Sequence, residues 1–164
     1  MQISDEGKRL IFSFEGKLRK ISDGRYIAYR CPADVWTIFA GCTSGVTEGM
    51  IVTEEQGEEL FQKEIAKHEA TVARLVTVDI NQNEFDAMVS LSFNIGAAGF
   101  ERSSVLRRLN NGNRAGAAKA FEMWTKANVK GRKIDLPGLV SRRKREAALF
   151  LKPVEAPEAP AMPQ

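Results

Sequence analysis

Thr53-Glu54-Glu55-Gln56-Gly57-Glu58-Glu59-Leu60-Phe61-Gln62-Lys63-Glu64-Ile65-Ala66-Lys67-His68-Glu69-Ala70-Thr71-Val72-Ala73-Arg74-Leu75-Val76 divides the chain into two unlike parts. It opens as a capping box, in which the Thr53 hydroxyl accepts from the Gln56 amide and the Gln56 side chain reaches back. Leu60, Phe61, Ile65, His68, Val72, Leu75 and Val76 then recur at helical spacing. The stretch reads as one long connecting helix.

Toward the N-terminus the patterning is shorter. Ser4 is a good N-cap, and Asp5 and Glu6 follow in the first turn, where the helix dipole favours anions. Leu10, Ile11 and Phe14 share a face and Gly16 is a natural stop, so a first helix ends on Glu15. Tyr26 to Cys31 is β-prone, Pro32-Ala33-Asp34 is a turn cluster and Val35 to Ala40 reads as the return strand of a hairpin. Ser22-Asp23-Gly24 has turn chemistry of its own, and Gly41 to Gly49 reads as irregular chain.

Toward the C-terminus the chain reads as helical. Asn81-Gln82-Asn83-Glu84 starts a helix that ends near Gly96. Shorter helices follow over Ser104 to Leu109 and Arg114 to Trp124, and Pro137 opens a last one that ends near Leu151. Residues 153–164 hold four prolines in twelve positions and read as a disordered, extended tail on a domain spanning 1–152. The fold class is α+β, mostly α: a small hairpin lobe and a helical C-terminal lobe, with the cleft between them as the default ligand site.

The chain has 164 residues, 43% hydrophobic and 27% charged, which fits one globular domain. No apolar stretch approaches the ~18 residues a membrane span requires, and the N-terminus carries no secretory signal pattern. Cys31, Cys42 and the single His68 do not make a zinc site, no phosphate loop or dinucleotide fingerprint is present, and no metal or cofactor is expected. Low cysteine content favours synthesis in a reducing compartment, and His68, on an apolar stripe, reads as a packed or rim histidine.

Charge is uneven. Residues 1–100 carry a balance of −5 and residues 101–152 a balance of +10. A basic half points to a polyanionic partner, with nucleic acid, a membrane surface and an anionic wall polymer as candidates. The bland alternative is a solvated helical surface.

Glu15 is the informative carboxylate. At a helix C-terminus the backbone carbonyls point at it, and a hairpin packed over it would add desolvation. Both effects favour the neutral form that a general acid requires. From position alone, a surface glutamate ending a helix is the more ordinary reading.

Six segments in order carry a resemblance. They are Phe14-Glu15-Gly16, Tyr29 through Ile38, Gly49 through Gln56, Asn81 through Gly96, Ser103 through Asn110, and Leu136-Pro137-Gly138-Leu139-Val140-Ser141-Arg142-Arg143. Together they resemble the phage-type lysozyme (endolysin) family, glycoside hydrolases of family 24 that cut peptidoglycan glycan strands. The resemblance implies a lysozyme-like fold over Met1 to Leu151. It also implies hydrolysis of the β-1,4 bond between N-acetylmuramic acid and N-acetylglucosamine, with lysis of a bacterial host. By motif, Glu15 takes the acid's place, Cys31 stands at a position filled by Asp or Cys in the family, and Thr37 matches the threonine of the return strand. Asn94 and Arg143, the latter expected to reach the cleft, are carried over as substrate-binding residues.

The chain departs from the family in three places. The segment from Glu15 to Tyr29 is several residues longer, around Ser22-Asp23-Gly24. Phe39-Ala40-Gly41-Cys42-Thr43 lacks the family's histidine, and Asp34 stands where glycine is usual. Cys31, Asp34 and Asp23 therefore compete as the second catalytic group. The partners implied are peptidoglycan strands, an anionic wall or outer lipid layer facing Arg107-Arg108 and Arg142 to Arg145, and a separate holin that releases a monomer from the host cytoplasm to the wall. Nucleic acid is not expected, since no recognition-helix pattern is present. A binding module of the same fold without catalysis, and a lytic transglycosylase, are the competing readings.

Overall fold

The computed structural model describes residues 1–31 and 33–154. The expected disordered tail lies mostly outside the described residues, from 155 onward.

Helix α1 spans Asp5–Glu15. The Ser4 hydroxyl accepts from the Gly7 amide at 3.2 Å, as an N-cap should, and also donates to the buried Asp86 carboxylate. Gly7 lies flush against that carboxylate, because a Cβ there would sit 2.8 Å from the Asp86 carboxyl carbon. The helix start is thus seated on another helix, and its other end, closed by Gly16 at φ +64, delivers Glu15 to the joint between the lobes.

The N-terminal lobe is built of very short strands: β1 (Tyr26–Ile27), β2 (Tyr29–Arg30), β3 (Trp36–Thr37) and β4 (Ile51–Val52). The expected single hairpin is divided. Tyr29 pairs with Thr37 and Arg30 with Trp36, but Tyr26 and Ile27 pair instead with Val52 and Ile51. Left-handed backbone at Phe39 (φ +60) and Gly41 (φ +75) ends the return strand early. The bend lets the Phe39 ring settle on α2 (Glu54–Leu75) at Gly57, where a Cβ would come within 2.5 Å of the ring. The longer segment after Glu15 folds into a small loop: Leu18 bridges to Phe39, Lys20 to Tyr26, and Gly24 turns at φ +89.

Helix α2 has both halves of its capping box in place. Glu54 in its first turn receives Lys17 at 2.6 Å and the Tyr26 hydroxyl at 3.1 Å, which ties the helix to the small lobe. Helix α3 (Gln82–Ile95) is the axis of the large lobe and is buried from Asn83 to Ser92. A helix buried on all sides must satisfy its polar residues internally. Asn83 donates to the Lys152 carbonyl, Glu84 pairs with Arg114, Ser90 donates to Glu146 and Ser92 meets His68.

Around α3 lie α4 (Ala97–Glu101), α5 (Ser104–Asn110), α6 (Arg114–Ala120) and α7 (Pro137–Leu151). The helix expected over Arg114 to Trp124 stops at Ala120 and tightens into a 3₁₀ turn over Phe121–Met123. An exposed hairpin absent from the sequence reading, β5 (Lys126–Val129) with β6 (Arg132–Asp135), joins that turn to α7. Among the described residues, no helix is long and apolar enough to cross a membrane.

Candidate active site

Helix α1 holds Glu15 with its carboxyl one-fifth exposed, and three groups close around it. Arg142, reaching down from α7, donates from Nη1 to Oε1 at 2.6 Å. Gly41 presses its backbone on the other side, since a Cβ there would lie 2.7 Å from Oε2. Tyr29 lies close enough for the Glu15 charge to act on its hydroxyl. Burial raises the Tyr29 pKa first, and Glu15 and then Cys31 add to the rise.

The β2–β3 register identifies the strand face turned inward. Residues directly opposite in an antiparallel pair share a face, and residues two apart share it as well. Tyr29 and Thr37 therefore face one way, and Arg30 and Trp36 the other, where the guanidinium stacks over the indole at 5.1 Å. Thr37 on the first face is buried and Arg30 on the other is exposed, so the first face is the inner one. Thr37 is buried there and donates to the Val35 carbonyl at 2.9 Å; Cys31 is half-buried with a free thiol.

The two aspartates of the sequence reading lie differently. The Asp34 side chain is 75% exposed and pairs at 2.9 Å with Arg30, which belongs to the outer face. Its φ of +61 explains why glycine is usual there: the turn requires a left-handed residue, which aspartate tolerates. Asp23 closes its own turn, accepting from the Arg25 amide at 3.0 Å and pairing with the Arg25 guanidinium at 2.6 Å. Those two contacts hold its carboxyl below the usual range. Both carboxylates are engaged by arginines of their own turns, and Cys31 is a free, half-buried thiol.

Two expectations are corrected. Arg143 does not present itself to a ligand: it is 0% exposed, and its guanidinium is used by the Trp124 carbonyl at 2.8 Å, by Glu146 and by the Asn94 side chain. Burial lowers its pKa, and Glu146 pulls it back up. Asn94 itself is exposed, so Arg143 serves to hold it. Glu15 also has a partner that the sequence did not disclose, the Arg142 guanidinium. With Arg142 and Arg143 both buried, the basic surface expected over Arg142 to Arg145 reduces to Lys144 and Arg145.

Arg142 is fixed in turn. It donates to the Ser90 carbonyl at 3.2 Å and to Glu146 at 3.3 Å, and it stacks over Phe14 at 4.7 Å, with Arg145 over the same ring at 4.6 Å. Phe14, Gly41 and Arg142 all lie in or beside quoted motifs, but no spacing in the sequence discloses that they converge on one carboxyl. Two surface cavities, of about 590 Å³ between α1 and α7 and about 810 Å³ between α1 and α2, contain none of these groups except Arg145, which lines the first. Among the described residues, no cluster of three or more His, Cys, Asp or Glu is arranged to hold a metal.

Known proteins resemble this chain in sequence and fold. The phage lysozyme family pattern matches residues 20–146. An endolysin of Acyrthosiphon pisum secondary endosymbiont phage 1 is 40% identical over 150 residues, covering 92% of this chain and 98% of the relative. The muramidase domain of SpmX from Asticaccaulis excentricus superimposes with a TM-score of 0.80 at 40% identity, over 93% of this chain and 99% of the other. An endolysin from Escherichia coli O157:H7 phage FAHEc1 gives 0.81 at 36% identity, over 96% and 98%. With the family pattern matched over most of the chain and relatives matched nearly end to end, this protein belongs to the phage lysozyme family.

Proposed function

We propose that this protein is an endolysin that hydrolyses the β-1,4 bond between N-acetylmuramic acid and N-acetylglucosamine, with Glu15 as general acid. The single observation that carries the reading is the Glu15 carboxyl held between Arg142 and Gly41 near the Tyr29–Thr37 face. Protonation of the glycosidic oxygen lets the bond break toward an oxocarbenium-like centre. Cys31, with Thr37, stabilises that centre or orients water from the hairpin side. Asn94, held by Arg143, contacts the strand. In this reading Asp34 and Asp23 are turn residues.

The test is clearing of purified peptidoglycan by wild type beside Glu15→Gln. A positioned acid contributes ~10²–10⁴-fold, so the variant should fall at least a hundredfold while retaining its circular dichroism spectrum. Clearing by the variant at more than a few per cent of the wild-type rate sinks the acid assignment. An inactive wild type that still sediments with the wall would mark the binding-module reading. Anhydro-muramic ends in place of reducing ends would mark transglycosylation.

A further inference from the structure

We infer that the β5–β6 hairpin is a docking surface for an anionic phospholipid bilayer. Lys126-Ala127-Asn128-Val129-Lys130-Gly131-Arg132-Lys133-Ile134-Asp135 carries four cations and one anion. The anion is engaged at the root, where the Thr125 hydroxyl donates to Asp135 at 2.6 Å. The outer part of the hairpin is therefore purely cationic.

A two-stranded hairpin is marginal alone and gains stability by burying a face. This one buries neither. Every residue of β6 is exposed, and in β5 only Ala127 is partly covered. The register Ala127↔Ile134 and Val129↔Arg132 puts Ala127, Val129 and Ile134 on one face, with Arg132 beside them. Val129 and Ile134 stand about 40% exposed in water. Exposed β-branched apolar residues interleaved with lysine and arginine suit a boundary where hydrocarbon meets phosphate. Lys130 (φ +50) and Gly131 (φ +78) close the tip in a tight turn that no other group approaches at Gly131, leaving it free to enter such a boundary.

The chemistry separates lipid from the other polyanions. The hairpin has no aromatic ring, the group on which bases stack. A purely ionic partner such as a wall polymer would use the cations and gain nothing from Val129 and Ile134.

The test is cosedimentation of the whole chain with vesicles of phosphatidylglycerol and phosphatidylethanolamine, beside vesicles of phosphatidylcholine. The protein should bind the anionic vesicles, weaken as salt rises, and ignore the neutral ones. Each basic residue near an anionic surface contributes about fivefold. Lys130→Gln, Arg132→Gln and Lys133→Gln together should therefore lose about 100-fold. Val129→Ser with Ile134→Ser should lose about tenfold at unchanged net charge. All five side chains lie in water, so an unchanged melting temperature verifies that the variants are folded. Wild type that ignores anionic vesicles overturns the proposal, as does unchanged binding by the triple variant. Full binding by the serine pair overturns the assignment to lipid, and so does hairpin-dependent sedimentation with purified peptidoglycan that exceeds binding to anionic vesicles.

Discussion

Gly41 shows how one atom's absence arranges a site. Its φ of +75 favours glycine, and the Glu15 carboxyl occupies the space a Cβ would need. Gly41→Ala should therefore displace Glu15 and lower kcat well before KM changes, while left-handed strain costs about 1–2 kcal/mol. Peptidoglycan kinetics beside a thermal melt check both. The two cysteines divide as sharply. Burial pushes the Cys42 thiol up to about 12, with Glu64 adding to the rise, whereas Cys31 is half-buried. The thiolate is the nucleophile, so iodoacetamide near neutral pH should label Cys31 and leave Cys42. Cys31→Ser should be impaired in clearing and Cys42→Ser should not. Full activity of Cys31→Ser would leave Glu15 with Thr37 alone.

Between elements, the α2–α3 contact carries the chain's one histidine. His68 Nδ1 lies 2.7 Å from the Ser92 hydroxyl, and its ring meets Phe93 at 5.6 Å. Burial lowers its pKa, with Glu64 opposing. The unfolded chain therefore binds the proton more readily than the folded one. Stability is held above the unfolded value of ~6.5 and declines as pH falls from there toward the folded value. Thermal melts from pH 8 to 5 should show that loss, and His68→Gln should flatten it. The helix boundaries at this scale were legible locally: Ser4, Thr53 and Asn81 cap as their side chains dictate, and Gly16 and Gly96 stop as glycine permits. The small strands were not, because β1 and β4 are two residues each and pair across intervening loop, too short for periodicity to register. The β5–β6 hairpin escaped for a related reason: each strand is four residues long and β6 holds a single apolar residue, Ile134, too little pattern to mark a strand.

Across the whole molecule, Glu146 joins the candidate site to the helical lobe. It is fully buried, takes Arg142 and Arg143 together, and receives the Ser90 hydroxyl at 2.5 Å. Removing one member of a buried ionic group leaves charge uncompensated, at a cost of about 3–5 kcal/mol. Glu146→Gln should lose about that much in urea denaturation and also lose activity, since Arg142 and Asn94 are both held through it. A variant of wild-type stability would show that Glu15 alone neutralises the pair. The sequence by itself determined the longer helices, the caps at Ser4, Thr53 and Asn81, the order of the lobes and the family, because these follow from local spacing and from motifs read in order. Placing Glu15 at a helix end needed no more than Gly16. Tertiary structure alone decided what surrounds that carboxyl. Arg142 lies 127 positions away, and the adjacent Arg143 is buried while Arg142 reaches the site. Neighbouring residues on a helix point about 100° apart, so which of two adjacent arginines meets Glu15 depends on how α7 is rotated against α1 and α3. That rotation is fixed by packing between helices distant in sequence, and no local pattern encodes it.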